Sequence, residues 1–326
     1  MKNKIKIAIC GYGNLGKGVE SEVSKNPDME LAAVFTRRRP LASLALKSDV
    51  PVVHFDDASL WKGKIDVMIM CGGSARDLPL QTPVMASLFN TVDSFDTHAK
   101  IPQYKASVDA AARESNNVSI VSVGWDPGLF SIMRLYMGAV LPDGKTYTFW
   151  GKGVSQGHSD AVRKIDGVKD AVQYTIPISS ATDRIRSGET PEFTAREKHE
   201  RLCYVVADDN ADKNRIENEI KNMPDYFADY NTAVEFISED ELKKNHSRLC
   251  HGGNVIHMGT TGDDNKQAME FSLKLDSNPE FTASILIKYA RAAYKLSKKN
   301  ECGAKTVFDI PPIMLCFDED EAVKMI

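Results

Sequence analysis

The sequence contains 326 residues, of which 42% are hydrophobic and 26% are charged, and its formal net charge is −4. These values are ordinary for globular proteins, and they exclude a disordered, collagen-like or coiled-coil chain. The length predicts about two domains, each able to bury its own core. The small net negative charge argues against a surface that binds nucleic acids or membranes in general.

The cysteines and histidines give no sign of a metal site. The six cysteines are scattered and none forms a C-x-x-C pair, so we expect neither a zinc site nor a disulfide framework. The chain begins without an apolar signal core, and no apolar run has the length of a membrane span. We therefore expect a cytoplasmic protein with reduced thiols and no bound metal.

The first part of the chain alternates short apolar runs with helical patterns. Buried-type strands are predicted at 5–10, 31–35, 65–71, 89–95 and 118–123. Helices are predicted between them, at 17–25 and 101–115. This alternation predicts an α/β fold with a doubly wound parallel sheet and right-handed crossovers.

The pattern changes after Trp125, where half-exposed strands begin. Alternating segments predict strands at 146–149, 173–178, 203–207, 233–237, 254–258 and 268–275. Helical patterns follow at 159–165, 210–223 and 281–299. We predict a first, dinucleotide-binding domain at 1–123, on which 300–326 packs back, and a second α+β domain with a mixed sheet at 124–299.

A glycine-rich motif lies between the first strand and the first helix. This context is the one in which G-x-G-x-x-G binds a dinucleotide. The glycines permit a tight turn, close approach to a pyrophosphate, and close packing of helix on strand. The motif comprises Gly11, Tyr12, Gly13, Asn14, Leu15 and Gly16.

The second strand ends in Thr36, Arg37 and Arg38. An NAD site usually has Asp or Glu here to bind the ribose 2′-hydroxyl, whereas a guanidinium suits a 2′-phosphate. The sequence therefore predicts NADP. After the strand at 65–71, a turn resembles the second cofactor-facing loop of such domains, with candidate residues Cys71, Gly72, Ser74 and Ala75.

Two acidic segments begin where later strands end. Asp96 follows the strand at 89–95, and Asp126 follows the strand at 118–123. Ligands bind at the carboxyl ends of strands in doubly wound folds, so these carboxylates are candidates to face the nicotinamide. For Asp126 the alternative is a purely structural role, because Asp-Pro-Gly forms a turn by itself.

Several polar residues of the second domain are further candidates, and each also has a structural explanation. His158 lies near the start of a predicted helix, Arg201 lies near the start of a strand, and His251 precedes two glycines. Asn278 is a good helix cap. None of them indicates a function alone.

Together these segments resemble the meso-diaminopimelate dehydrogenase family over nearly the whole chain. The generic part of the resemblance is GYGNLG, and the specific part is SQGHSDA with GWDPG and NPEFTAS. The other stretches are VFTRR, VDSFDTH, RLCYVVAD, NMPDYF and HGGNVI. The resemblance implies an NADP-binding Rossmann-type domain joined to an α+β domain that binds substrate and forms a homodimer.

The resemblance also implies a reaction, the reversible oxidative deamination of the D-centre of meso-2,6-diaminopimelate in lysine and diaminopimelate biosynthesis. It implies that Asp96 and Asp126 face the reacting amino group, with Trp125, Trp150, Gln156 and Gly157 around that end. The distal L-centre would be held by Thr175, Arg201, His251 and Asn278. Asp126 or Asp96 is the expected proton acceptor, and His158 is held in reserve.

Two alternatives remain open at this point. One is another NADP-dependent reductase such as dihydrodipicolinate reductase, whose His-His-rich loop and Lys-Asp-Ala-Pro-Ser-Gly-Thr run are missing from this sequence. The other is a non-catalytic NADP-sensing regulator, which would have no reason to keep the polar substrate-end residues together.

Overall fold

The chain folds into two compact units. The computed structural model describes residues 4–326, except for the side chain at position 42. The first unit comprises residues 4–132 and 279–326, and the second comprises Met133–Asn278. The second unit is thus a continuous segment, and the first is completed by residues that follow it in the sequence.

These units differ from the predicted domain boundaries at two places. Residues 124–132 and 279–299, which we predicted in the second domain, lie in the first unit. The long helix near the end of the chain explains the second difference. Its Arg291 forms an ion pair with Asp28 at 2.7 Å, and the guanidinium is almost fully buried.

Fourteen strands lie within residues 4–326, and they include every strand that the apolar patterns predicted. The ends differ from prediction by a few residues. In chain order the strands are β1 (Ile5–Cys10), β2 (Met29–Thr36), β3 (Val52–His54), β4 (Val67–Met70), β5 (Asn90–Asp93), β6 (Val118–Ile120), β7 (Lys145–Trp150), β8 (Gly153–Val154), β9 (Val168–Pro177), β10 (His199–Ala207), β11 (Asn231–Phe236), β12 (His251–Thr261), β13 (Asn265–Leu275) and β14 (Gly303–Lys305).

Eleven α-helices are found in the same described residues, including all those predicted. They are α1 (Asn14–Val23), α2 (Leu78–Ala86), α3 (Ile101–Glu114), α4 (Leu129–Val140), α5 (Gln156–Val162), α6 (Ser179–Arg186), α7 (Ala195–Lys198), α8 (Lys213–Lys221), α9 (Glu239–Asn245), α10 (Asn278–Ser297) and α11 (Glu319–Val323). Helix α4 contains the division between the two units.

The first unit is built on a seven-stranded sheet with the order β14-β6-β5-β4-β1-β2-β3. All neighbouring strands are parallel, as the alternating pattern predicted. All four residues of β4 are buried, which is typical of a parallel strand with both faces covered. The strand order reverses between β1 and β4, and ligands bind at such a switch point in doubly wound sheets.

The second unit contains two sheets. One is the expected mixed sheet, with the order β11-β10-β9-β8, in which β10 and β11 are parallel and the other pairs antiparallel. The other strands form a separate antiparallel sheet with the order β13-β12-β7. Cys203 and Val205 of β10 pack in one buried cluster with Ile216 and Ile220 of α8. Residues of β10 two positions apart share a face, so Arg201 points to the same side as this cluster.

Residues 4–326 contain neither a membrane-spanning helix nor a cluster of metal ligands. No helix among them is both long enough and apolar enough to cross a membrane. No group of three or more His, Cys, Asp or Glu side chains in this part of the chain is placed to hold a metal ion.

Candidate active site

The glycine motif forms the tight turn that the sequence predicted between β1 and α1. Gly11 has a φ of +97°, which favours glycine. A Cβ on Gly16 would lie 2.3 Å from the carbonyl oxygen of Gly11, so only glycine allows α1 to pack this closely. A Cβ on Gly13 would meet nothing within 4 Å, so open space lies where a pyrophosphate is expected to approach the backbone.

A cavity of about 430 Å³ lies beside this turn, within the first unit. Most of the predicted cofactor residues line it, namely Gly11, Tyr12, Gly13, Thr36, Arg37, Arg38, Cys71 and Gly72. Asn14, Leu15 and Gly16 belong to the first turn of α1. Ser74 lies outside the lining, where its Oγ accepts a hydrogen bond from the backbone N–H of Asp96 at 2.9 Å, and Ala75 lies in the turn beside it.

The two arginines of the cavity differ in their surroundings. Arg37 forms an ion pair with Asp77, and the amide group of Gln81 also faces its guanidinium. Arg38 is exposed, and its guanidinium has no partner among the described residues. Its backbone N–H donates to Oγ1 of Thr36 at 3.0 Å.

Sequence reasoning missed Asp77, which lies just before α2. Its Oδ2 accepts a hydrogen bond from the backbone N–H of Gly73 at 2.9 Å, and its other oxygen meets Arg37. Asp77 thus joins the loop after β4 to the end of β2. A carboxylate four residues after a glycine pair was the available signal.

The two predicted acidic residues lie in the segments that follow β5 and β6 in the first unit. Asp96 is exposed and Asp126 is half-buried. Trp125 is buried, and its ring packs edge-to-face on Phe130 at 5.3 Å between centroids. Gly128 closes the turn, because a Cβ there would lie 1.7 Å from the Gly124 carbonyl oxygen.

The second unit brings Thr175 and Arg201 together as partners across β9 and β10. Nη1 of Arg201 donates a hydrogen bond to Oγ1 of Thr175, and its guanidinium lies over the ring of Tyr230 at 3.9 Å from the centroid. Arg201 is only 8% exposed, and burial lowers its pKa. Its Nε is buried without a hydrogen-bond partner in the part of the chain that the structure describes.

Three histidines lie close enough to this guanidinium for its charge to lower their pKa values. Burial lowers the pKa of His158 to about 4 and that of His199 to about 3, and the charge of Arg201 adds to both shifts. Burial, with a smaller effect of Arg201, also lowers the pKa of His251. Because the pKa values of these histidines are lowered, protonated imidazoles are disfavoured beside the Arg201 guanidinium.

His199 is a further residue that sequence reasoning left without a role. Its Nε2 accepts a hydrogen bond from the backbone N–H of Trp150 at 2.9 Å, and the two rings stack at 5.4 Å between centroids. It therefore fixes the position of Trp150.

The other predicted residues of this unit lie at helix starts. Gln156 and Gly157 are exposed in the first turn of α5, and Asn278 begins α10, where its N–H donates to the Leu249 carbonyl at 2.8 Å.

Known proteins resemble the chain over almost its whole length. A family model described as the diaminopimelic acid dehydrogenase C-terminal domain matches residues 124–277. The meso-diaminopimelate D-dehydrogenase of Ureibacillus thermosphaericus is 62% identical over 309 residues, which cover 95% of this chain and 94% of that protein. The chain belongs to the meso-diaminopimelate D-dehydrogenase family.

Solved structures of similar proteins share the whole fold of this family member. The Corynebacterium glutamicum DAP dehydrogenase in complex with DAP has a TM-score of 0.92 and 44% identity, and the match covers 100% of this chain and 99% of that one. An engineered D-amino acid dehydrogenase bound to NADP+ has a TM-score of 0.88 and 42% identity, with 99% and 100% covered. The predicted family, fold class and amino-acid dehydrogenase activity on CH–NH2 are therefore confirmed.

Proposed function

We propose that this chain catalyses the reversible oxidative deamination of the D-centre of meso-2,6-diaminopimelate with NADP. Water is consumed, and the products are L-2-amino-6-oxopimelate, which cyclises to tetrahydrodipicolinate, with ammonia and NADPH. The proposal rests on the family to which the chain belongs and on the chemistry of the substrate. Meso-2,6-diaminopimelate has one carboxylate and one ammonium group at each end. Such a molecule needs both anionic and cationic binding groups.

The buried guanidinium of Arg201 is the observation that carries the proposal. A buried arginine with an unpaired Nε is costly unless a ligand completes its hydrogen bonds. A carboxylate fits this need, because it can accept two parallel N–H bonds from the guanidinium fork. We assign Arg201, Thr175, His251 and Asn278 to the distal L-centre of the substrate.

We assign the reacting ammonium group to Asp96 and Asp126, with Trp125, Trp150, Gln156 and Gly157 around that end. One of the two carboxylates accepts the proton that must leave the ammonium group before hydride can leave the D-carbon. His158 stays second to them, because its protonation would place an imidazolium beside the Arg201 cation. Its Nδ1 also pairs with Oγ of Ser155 at 2.8 Å.

The first unit suits a nicotinamide cofactor, and its arginines favour NADP. The open space at Gly13 fits a pyrophosphate, and the unpartnered guanidinium of Arg38 fits a 2′-phosphate. A nicotinamide bound there would supply the hydride acceptor for the D-carbon. Cys71, Gly72, Ser74 and Ala75 would flank it on the side of β4.

The homodimer and the cytoplasmic location stay predictions. Three large apolar side chains of α4 support self-association, since a second copy would cover them. They are exposed by 57% at Leu135, 62% at Tyr136 and 51% at Val140. Sedimentation of the purified protein would measure the assembly.

A spectrophotometric assay tests the proposed reaction. Meso-diaminopimelate with NADP should give the NADPH absorbance band, and the L,L isomer should not, because it has no D-centre. Arg201→Met should weaken substrate binding by about 2–4 kcal/mol, since a charged contact in a desolvated site is lost.

The matched control is Arg196→Met. Arg196 is exposed, and its side chain donates among the described residues only to the Ala228 carbonyl, at 3.3 Å, so its loss should leave the substrate KM unchanged. NADP affinity should hardly change in either variant. Ready oxidation of the L,L isomer would refute the two-ended assignment, and normal substrate affinity in Arg201→Met would remove this residue from the site.

A further inference from the structure

A buried carboxylate that the proposed mechanism does not use lies between the two acidic loops. Asp93 is the last residue of β5 and is fully buried. Its Oδ1 accepts a hydrogen bond from the backbone N–H of Phe95 at 2.9 Å and another from the N–H of Ser122 at 3.0 Å. Its Oδ2 accepts a bond from the hydroxyl of Tyr104 at 2.7 Å.

These bonds connect two segments that are far apart in the sequence. Phe95 immediately precedes Asp96, while Ser122 lies four residues before Asp126. The carbonyl of Asp93 also accepts a hydrogen bond from the N–H of Val123, at 2.8 Å. One residue therefore holds the first residues of both loops through three backbone amides.

The second loop needs this support, because Ser122 has a strained backbone. Its φ is +58°, a left-handed conformation that costs a non-glycine residue on the order of 1–3 kcal/mol. Its side-chain hydroxyl is buried without a hydrogen-bond partner among the described residues. The bond from its N–H to Asp93 is thus a main polar contact that favours this conformation.

The first loop is held by packing as well. The ring of Phe95 stacks on that of Tyr104, with 4.1 Å between centroids, and both rings are buried. Burial raises the pKa of Asp93 to about 6, although three hydrogen bonds oppose this shift. The carboxylate therefore remains mostly ionised at neutral pH, which strengthens its bonds to the amides.

We propose that Asp93 is a positioning residue for both candidate catalytic carboxylates, Asp96 and Asp126. The inference rests on the proposed function, because it matters for turnover only if these carboxylates meet the reacting amino group. Asp93 itself is fully buried and touches no reacting atom. Its contribution is the relative placement of two loops, and misplacement by about 1 Å can cost 10²-fold in rate.

Three variants separate positioning from general stability. Asp93→Ala removes both side-chain acceptors, leaves the backbone carbonyl that bonds Val123, and should lower kcat for meso-diaminopimelate by about 10²-fold. Asp93→Asn keeps a neutral oxygen for the amides of Phe95 and Ser122, so it should recover activity to within about 10-fold of the wild type. Tyr104→Phe is the matched control, because it removes only the bond to Oδ2 and should change kcat less than about 3-fold.

Binding of 2′,5′-adenosine bisphosphate reports whether the first unit is folded, and it should be unchanged in all three variants. Hydrogen exchange at the amides of Phe95 and Ser122 gives a readout that does not depend on activity. Exchange should be faster in Asp93→Asn than in the wild type, and unchanged in Tyr104→Phe. If Asp93→Ala does not fold, Asp93→Asn should still show lower kcat and faster exchange.

Wild-type kcat and exchange in Asp93→Asn would overturn the inference, as would a loss of kcat matched by an equal loss of nucleotide binding. A wild-type protein that does not oxidise meso-diaminopimelate would instead refute the proposed function. In that case faster exchange in Asp93→Asn would still support the structural link between the loops, and unchanged exchange would refute it.

Discussion

The two arginines of the cofactor cavity differ in their charge partners, which the sequence did not indicate. Arg37 and Arg38 are neighbours in the sequence, and both were predicted to bind a 2′-phosphate. In the structure Arg37 is already paired with Asp77, while the guanidinium of Arg38 is exposed. An arginine whose charge is already compensated gains less from a phosphate, so the two residues should contribute unequally to cofactor choice.

We expect Arg38→Met to raise KM for NADP by about 10- to 100-fold, because a hydrogen-bonded charge contributes about 1.5–3 kcal/mol. KM for NAD should hardly change. Arg37→Met should weaken both cofactors to a similar extent, since Arg37 is held as part of the cavity wall. Steady-state kinetics with each cofactor measure these values.

Arg39→Met is the matched control for this pair, because Arg39 is exposed and does not line the cavity. It should leave both KM values unchanged. An equal rise for NADP and NAD in Arg38→Met would show that this guanidinium does not read the 2′-phosphate.

His199 predicts how stability depends on pH. Its pKa in the folded chain is about 3, below the ordinary value of 6.5, so only the unfolded chain binds a proton between these values. Stability is therefore complete above about pH 6.5 and falls as the pH is lowered towards 3. At pH 5 His199 alone should account for a loss of about 2 kcal/mol relative to pH 7.

Urea unfolding followed by tryptophan fluorescence at several pH values measures this loss. His199→Gln should make the dependence between pH 7 and pH 5 shallower by about this amount, and the part due to His158 should remain. His98→Gln, at an exposed histidine, should keep the wild-type slope. An unchanged slope in His199→Gln would show that other groups cause the acid sensitivity.

Helix α1 of the first unit begins at the glycine turn, and it also connects this turn to a segment later in the chain. Its Glu20 is only 4% exposed and accepts hydrogen bonds from the backbone N–H groups of Lys47 and Ser48, at 2.9 and 2.8 Å. The hydroxyl of Tyr12 donates to the same carboxylate. Glu20 thus joins α1 to the glycine turn and to the segment between β2 and β3.

Glu20→Ala should lower the free energy of unfolding by about 2–4 kcal/mol, because several buried donors lose their acceptor. It should also raise KM for NADP, since Tyr12 lines the cavity. Urea unfolding and steady-state kinetics measure the two effects.

Glu22→Ala is the control in the same helix. Within residues 4–326 the side chain of Glu22 pairs with the exposed Lys25, at 2.6 Å, and exposed pairs of this kind contribute little to stability. Equal destabilisation by Glu20→Ala and Glu22→Ala would contradict the assigned role of Glu20.

The elements that the sequence did not predict have recognisable causes. Helix α2 contains Pro83, which sequence reasoning treats as a helix breaker. Helix α4 follows a Pro-Gly turn and is apolar along most of its length, and such a run does not by itself distinguish a buried helix from a buried strand. Strands β3 and β14 contain three residues each, too few for a pattern.

The strong local motifs were readable, and the long-range contacts were not. The roles of Gly11 and Gly16 follow from their spacing between a strand and a helix. Asp77 meets Arg37 across 40 residues, and Asp93 meets Ser122 across 29, so neither contact leaves a local pattern. Such contacts depend on which strands are neighbours in the sheet.

The whole molecule combines a continuous unit with a discontinuous one. Helix α10 and strand β14 belong to the first unit, although the entire second unit precedes them in the sequence. Strand β14 pairs with β6, and Arg291 of α10 is bonded to Asp28. Residues after 278 thus supply one of the two edge strands of the first unit's sheet and one partner of a buried ion pair.

This arrangement has a consequence for folding on the ribosome. Translation adds about 5–20 residues per second, so α10 and β14 are synthesised on the order of ten seconds after residues 4–132. During that time the edge of β6 is unpaired and Asp28 has no guanidinium beside it. Met133–Asn278 contains all the strands of its own two sheets. The unit that emerges second is therefore the first one that is able to finish folding.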